Sequence, residues 1–117
     1  MHSEKLAQRA AKAGPYRLLE GMLIYTPKKV RRYHRKWLRV GKQTLDRDDL
    51  GEFVPRVDDP ATVGCLLYLL RESHGDSGIT TALDHDGWSV VKRGRAIVAG
   101  NYSEAEAIVA ALEMGRR

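Results

Sequence analysis

Between Asp59 and Met114 the chain carries helix and turn signals so closely spaced that only short elements fit between them. Their order is what most limits the fold. Asp59-Pro60 supplies an N-cap acid and a proline at the first helical position. Val63, Leu66, Leu67 and Leu70 then recur on one helical face, with Cys65, Tyr68 and Leu69 adding apolar character around the side. Gly75 ends the segment, and this helix is expected to be the most buried element. Three short strands are expected next, at about 79 to 83, 87 to 92 and 95 to 99. Asp84-His85-Asp86-Gly87 turns the first pair, and Lys92-Arg93-Gly94 turns the second. Ser103 and Glu106 form a capping box for a last helix, Ser103 to Met114, with Ala105, Ile108, Val109 and Leu112 on its core face.

A meander has one face that must be covered. Two amphipathic helices on that face give an α+β fold, a helix–β–β–β–helix core over 59–114 within a single small domain of 117 residues. Hydrophobic content of 43% and charged content of 30% argue against wholesale disorder. One cysteine allows no internal disulfide, which fits a reducing compartment. The opening residues MHSEKLAQRAAKAG hold no apolar stretch of signal-peptide type. The longest apolar run, Ala61 to Leu70, is interrupted by Thr62 and Gly64 and is too short for a bilayer. A cytoplasmic protein is expected.

The first 44 residues have a different character. They hold twelve Lys or Arg against Glu4 and Glu20, a balance of +10, while residues 45 to 77 balance at −5 and the remainder is neutral, which gives the net +5. Ser3 to Ala13 fits a short helix capped by Ser3 and stopped by Gly14-Pro15. Tyr16 to Tyr25 fits a strand better than a helix. Thr26-Pro27 then resembles a helix start, with Val30, Tyr33, Trp37 and Val40 at helical spacing and Gly41 to close it. Lys28 and Lys29 oppose that helix, since they would sit at the positive pole of its dipole. The expectation is a helix, with a hairpin as its rival. Residues 43 to 58 read as a loop, basic residue 42 being the last of the run before it.

Residues 28 to 42, KKVRRYHRKWLRVGK, hold eight Lys or Arg and no acid. Cations interleaved with aromatics suit a phosphate backbone and stacked bases. Lys28, Lys29, Arg31, Arg32, Arg35, Lys36 and Arg39 are the candidate nucleic-acid contacts, with Trp37 or Tyr33 as stacker. The plainer account is a solvated basic face that leans on the chain's own acidic middle, or one that meets an acidic protein surface. Elsewhere the chemistry is sparse. His2, His34, His74 and His85 lack paired metal-ligand spacing. Cys65 sits in an apolar helix, where a free cysteine packs as a small hydrophobe. Glu72, Asp76, Asp84 and Asp86 read as solubilising charges near a strand end. No cofactor, metal or catalytic residue is expected, and a non-enzymatic accessory protein is the leading expectation, with an adaptor or inhibitor module as the alternative.

The segments DDPATVGCLLYLLRESHGD, GWSVV and SEAEAIVAALE resemble a set of small phage and prophage proteins. In that group a DPATVGCLL-type helix precedes a GW-containing hairpin and an EAEA-type final helix. The resemblance covers about half the chain, Asp58 to Glu113. The group has no assigned activity, so it implies a phage origin and a bacterial-host cytoplasm. The helix–meander–helix order is also similar to that of double-stranded-RNA-binding domains. Those hold phosphates with lysines at the start of the last helix, where this chain has Glu104 and Glu106. Three strands followed by a helix also resemble small DNA-reading sheets that place the meander in the major groove; the cations available for that here, Lys92, Arg93 and Arg95, all lie at one turn, and the final helix would leave only one sheet face free.

Overall fold

The computed structural model describes residues 2–25, 30–33 and 54–114. Helix α1 (His2–Lys12) precedes two short strands, β1 (Leu23–Tyr25) and β2 (Val30–Arg32), and a third, β3 (Val54–Pro55). Helix α2 (Pro60–His74) leads into β4 (Thr80–Asp84), β5 (Gly87–Lys92), β6 (Arg95–Asn101) and helix α3 (Glu104–Met114). The strands form two antiparallel sheets, ordered β2–β1–β3 and β4–β5–β6. The α+β class and the helix–meander–helix core are those the punctuation implies.

Local signals fix the ends of α2. The Asp59 carboxylate accepts from the Thr62 N–H at 3.0 Å, and Pro60 occupies the first turn. At the other end Gly75 adopts φ 63, so its own N–H reaches the Glu72 carbonyl and the Asp76 N–H reaches that of Arg71. These are the two bonds of a Schellman cap, which needs a left-handed residue. Helix α3 starts on Ser103, whose hydroxyl accepts from the Glu106 N–H at 3.1 Å. Glu106 reaches back to the Tyr102 N–H at 2.8 Å, one residue ahead of the usual capping-box donor.

The buried faces differ from those expected. In α2 the buried residues are Thr62, Leu66, Leu69 and Leu70, whereas Val63 and Leu67 are only half-buried. This helix must satisfy both the front sheet and α3, and Thr62 faces the first of them. Helix α3, not α2, is the most buried helix: Ala105, Ala107, Ile108, Val109, Ala111 and Leu112 are all buried. It packs on all three meander strands and also touches α1 and α2. Helix α1 begins at His2, so Ser3 lies inside it and is not its cap. Its buried face is Ala7 and Ala10, continued by Ala13 just past its end, residues small enough to bring its backbone close to β3 and α3.

The expected helix after Pro27 is overturned over its described part. Val30–Arg32 is a strand, paired with β1 in the register Leu23↔Arg32, Ile24↔Arg31 and Tyr25↔Val30. The ladder continues through the Tyr33 N–H to the Met22 carbonyl at 2.7 Å and the Gly21 N–H to the Tyr33 carbonyl at 3.0 Å. Pairing with β1 outweighs the local cap signal, since propensity is a weak prior against tertiary hydrogen bonds. The stretch expected to be loop also contributes β3, whose Pro55 and Val54 pair with Ile24 and Tyr25.

Candidate functional site

The basic run enters the described structure through the β1–β2 hairpin. Of its eight cations, only Arg32 has a described side chain. Arg31 lies in β2 by its backbone, and Lys28, Lys29, Arg35, Lys36 and Arg39, with the candidate stacker Trp37, lie outside the described residues. Tyr33 is 6% exposed, so its ring is part of the core and not a platform for a base.

Arg32 is held at the N-terminus of α2. Its Nη1 is 2.7 Å from Asp59 Oδ2 and 3.0 Å from the Gly21 carbonyl, and its Nη2 is 3.3 Å from Asp59 Oδ1. Asp59 also accepts from the Thr62 N–H and from the Thr62 hydroxyl, the latter at 2.9 Å. The same hydroxyl accepts from the Leu23 N–H at 2.8 Å. One carboxylate thus joins β1, β2 and α2. The Arg32 guanidinium, with help from the Thr62 donors, holds the Asp59 carboxyl below the ordinary aspartate range. A phosphate contacting Arg32 would have to compete with Asp59.

Two further arginines of the front half are engaged in the same way. Arg17 meets Glu72 of α2 at 2.5 Å, and Arg9 of α1 meets Glu113 of α3 through two bonds of 2.7 and 3.0 Å. Arg17 and Arg32 therefore lean on the acidic middle of the chain.

Other candidate groups show no assembled chemistry. Among the described residues there is no group of three or more His, Cys, Asp or Glu placed to hold a metal ion. Burial pushes the Cys65 thiol up, away from the reactive thiolate, and its Sγ lies 3.9 Å from the Glu20 carbonyl. His85 stands in an exposed turn beside Asp86 at 3.7 Å. His74 Nδ1 accepts from Lys92 Nζ at 3.1 Å while its Nε2 is buried without a partner, and burial lowers its basicity. No described helix is long and apolar enough to cross a membrane.

Sequence reasoning missed one surface feature. A groove of about 850 Å³ runs between α1, the entry to α2 and the start of α3. Leu6, Val57, Val63 and Ala105 give it an apolar floor, and Tyr102 stands at its rim, 96% exposed. A signal for it exists. Tyr102 precedes the Ser103 cap, where a bulky residue normally staples onto the fourth helical position. That position is Ala107, fully buried and too small to hold a ring.

No family model, curated protein or solved structure matches this chain.

Proposed function

We propose that this chain is a small phage-type accessory protein, not an enzyme, that binds DNA or RNA through the phosphate backbone with little sequence preference. The observation that carries the reading is the basic run itself: eight Lys or Arg and no acid within fifteen residues. Lys28, Lys29, Arg31, Arg35, Lys36 and Arg39 would release counterions from the backbone, and Trp37 would stack on exposed bases. Arg32 has a second task, since its bond to Asp59 ties the hairpin that begins the run to α2. The bases contribute no direct readout here, because an unspecific contact needs only regularly spaced negative charge.

Log affinity plotted against log salt should fall with a slope of about −0.9 per phosphate contact on duplex DNA. Arg31→Ala with Arg35→Ala should make that slope shallower by about two contacts' worth. An unchanged slope would remove the run from the interface.

A second reading, a protein-interaction module that adapts or inhibits a host or phage factor, is favoured by the groove beside Tyr102. A partner's apolar side chain would fill it, and an exposed tyrosine at a pocket rim is a common anchor. A defined protein complex that survives nuclease treatment, combined with no nucleic acid in the purified material, would favour this second reading over the first.

A further inference from the structure

The two edges of the meander are built differently. Strand β6 is irregular along its pairing with β5, with register shifts between Trp88 and Val90 and again between Val90 and Val91. Gly100 lies there at φ 75. Bulges of this kind twist an edge and blunt it against further pairing. Strand β4 has none. It pairs with β5 through five consecutive positions, Thr80↔Val91 to Asp84↔Gly87. Its sequence, TTALD, contains no Pro, Lys or Arg, the residues that commonly guard an edge. Four of its five residues are exposed, and Leu83 is 62% exposed despite being large and apolar.

The hydrogen-bond parity of β4 follows from its neighbours. Arg93 and Gly94, at φ 55 and 78, form a two-residue turn that closes on the pair Lys92↔Arg95. Lys92 therefore directs its backbone groups at β6, and so do the even-numbered positions of β5 near it. Ser89 and Val91 point the other way, into β4, where their partners are Ala82 and Thr80. The N–H and C=O groups of Thr81 and Leu83 are left facing outward from the sheet. In keeping with this, the Thr81 carbonyl meets the neighbouring Thr80 hydroxyl, at a long 3.5 Å.

We infer that β4 is a self-pairing edge, through which two copies of this chain join antiparallel about a two-fold axis at Ala82 to make one six-stranded sheet. An antiparallel pair of identical strands is self-complementary, the arrangement of an isologous dimer. Centred on Ala82, it sets Thr81 opposite the partner copy's Leu83 and uses all four outward backbone groups of each strand. It also sets Asp84 opposite Thr80, so no like charges face each other across the seam. Beyond Thr80 stands Arg71, whose Nε holds the Ile79 carbonyl at 2.7 Å. The partner copy's acidic turn, Asp84 to Asp86, arrives beside that cation. Thr80 and Ala82, on the outer face of β4, are small and exposed. The inference is independent of any nucleic-acid role.

Cross-linking tests it. In this register the two Ala82 residues form a non-hydrogen-bonded pair with Cα atoms about 4.5 Å apart, within disulfide range. The full chain with Cys65→Ala and Ala82→Cys should oxidise to a covalent dimer. Cys65→Ala with Thr80→Cys should not, because those residues would lie about 13 Å apart along the strands. The unaltered chain should sediment as a dimer, and Leu83→Pro should shift it to monomer. Leu83→Pro removes an outward N–H while sparing the ladder to β5, which edge strands tolerate. A monomer at every soluble concentration would overturn the proposal. So would cross-linking at Thr80→Cys as efficient as at Ala82→Cys, or a dimer that persists in a folded Leu83→Pro chain.

Discussion

The front sheet has strands of three, three and two residues, and polar groups fasten it to α2: the Thr62 hydroxyl on the Leu23 N–H, and Asp59 on Arg32. The meander has strands of five, six and seven residues and shares one apolar cluster with α3, in which Val90, Ile108, Val109 and Leu112 are fully buried. Apolar burial is non-directional and nearly indifferent to pH and salt. Fastening through a carboxylate and a guanidinium is directional and responds to both. The front unit enters the same apolar cluster through Met22, Ile24, Tyr33 and Val57, but unlike the rear unit it adds a polar attachment to α2 that responds to pH and salt. The basic run issues from the front unit, and its root is an ion pair.

The largest effect should come from the rear unit. Leu112→Ala removes a side chain with no exposed surface, and such truncations cost about 2–5 kcal/mol. Urea unfolding followed by tryptophan fluorescence would measure it. A loss under about 1 kcal/mol would mean that α3 is not the central packing element.

Thr62→Val keeps the shape but strands the Leu23 N–H and takes a donor from Asp59. Leaving a buried donor unsatisfied costs about 1–3 kcal/mol. Hydrogen exchange at Leu23 and Tyr33 should accelerate much more than exchange at Val90. Equal acceleration at all three would erase the distinction between the two units.

The smallest effect is electrostatic. Asp59 has a lower pKa in the folded chain than unfolded, so its contribution is complete above the ordinary aspartate value, about 3.9, and is lost as pH falls through the lower folded value. Glu72 is shifted in the same direction by Arg17 and adds to the loss. Front-sheet amides should therefore lose protection under acid before the meander does, and Arg32→Ala should flatten that pH dependence. Simultaneous loss in both sheets would contradict the comparison.

The rear unit was largely legible in the sequence because its signals are local. Asp59-Pro60, Gly75, the Lys92-Arg93-Gly94 turn and the Ser103 cap each act within a few residues and stand where expected, save that Glu106 returns to the Tyr102 N–H. What the sequence hid there depends on partners far along the chain. Leu69 is buried while Val63 is only half-buried, since α2 meets both α3 and, through Thr62, the front sheet, and no local turn motif announces the register shifts of β6. The front unit hid more. Thr26-Pro27 is a good local helix start, yet Val30–Arg32 is a strand, since its hydrogen bonds are made with β1. Tyr33 was ambiguous between stacker and core, and only the fold puts its ring inside. Arg32 could be counted as a cation from sequence, but its commitment to Asp59, 27 positions away, could not.

The central claim concerns the other cations of the basic run, and binding to mixed-sequence DNA across a salt series tests it most directly. Fluorescence anisotropy of a labelled oligonucleotide would follow it. The account predicts clear binding at low salt, a straight decline of log affinity with log salt, and little difference between unrelated sequences. Absence of binding at low salt, or affinity indifferent to salt, would contradict it.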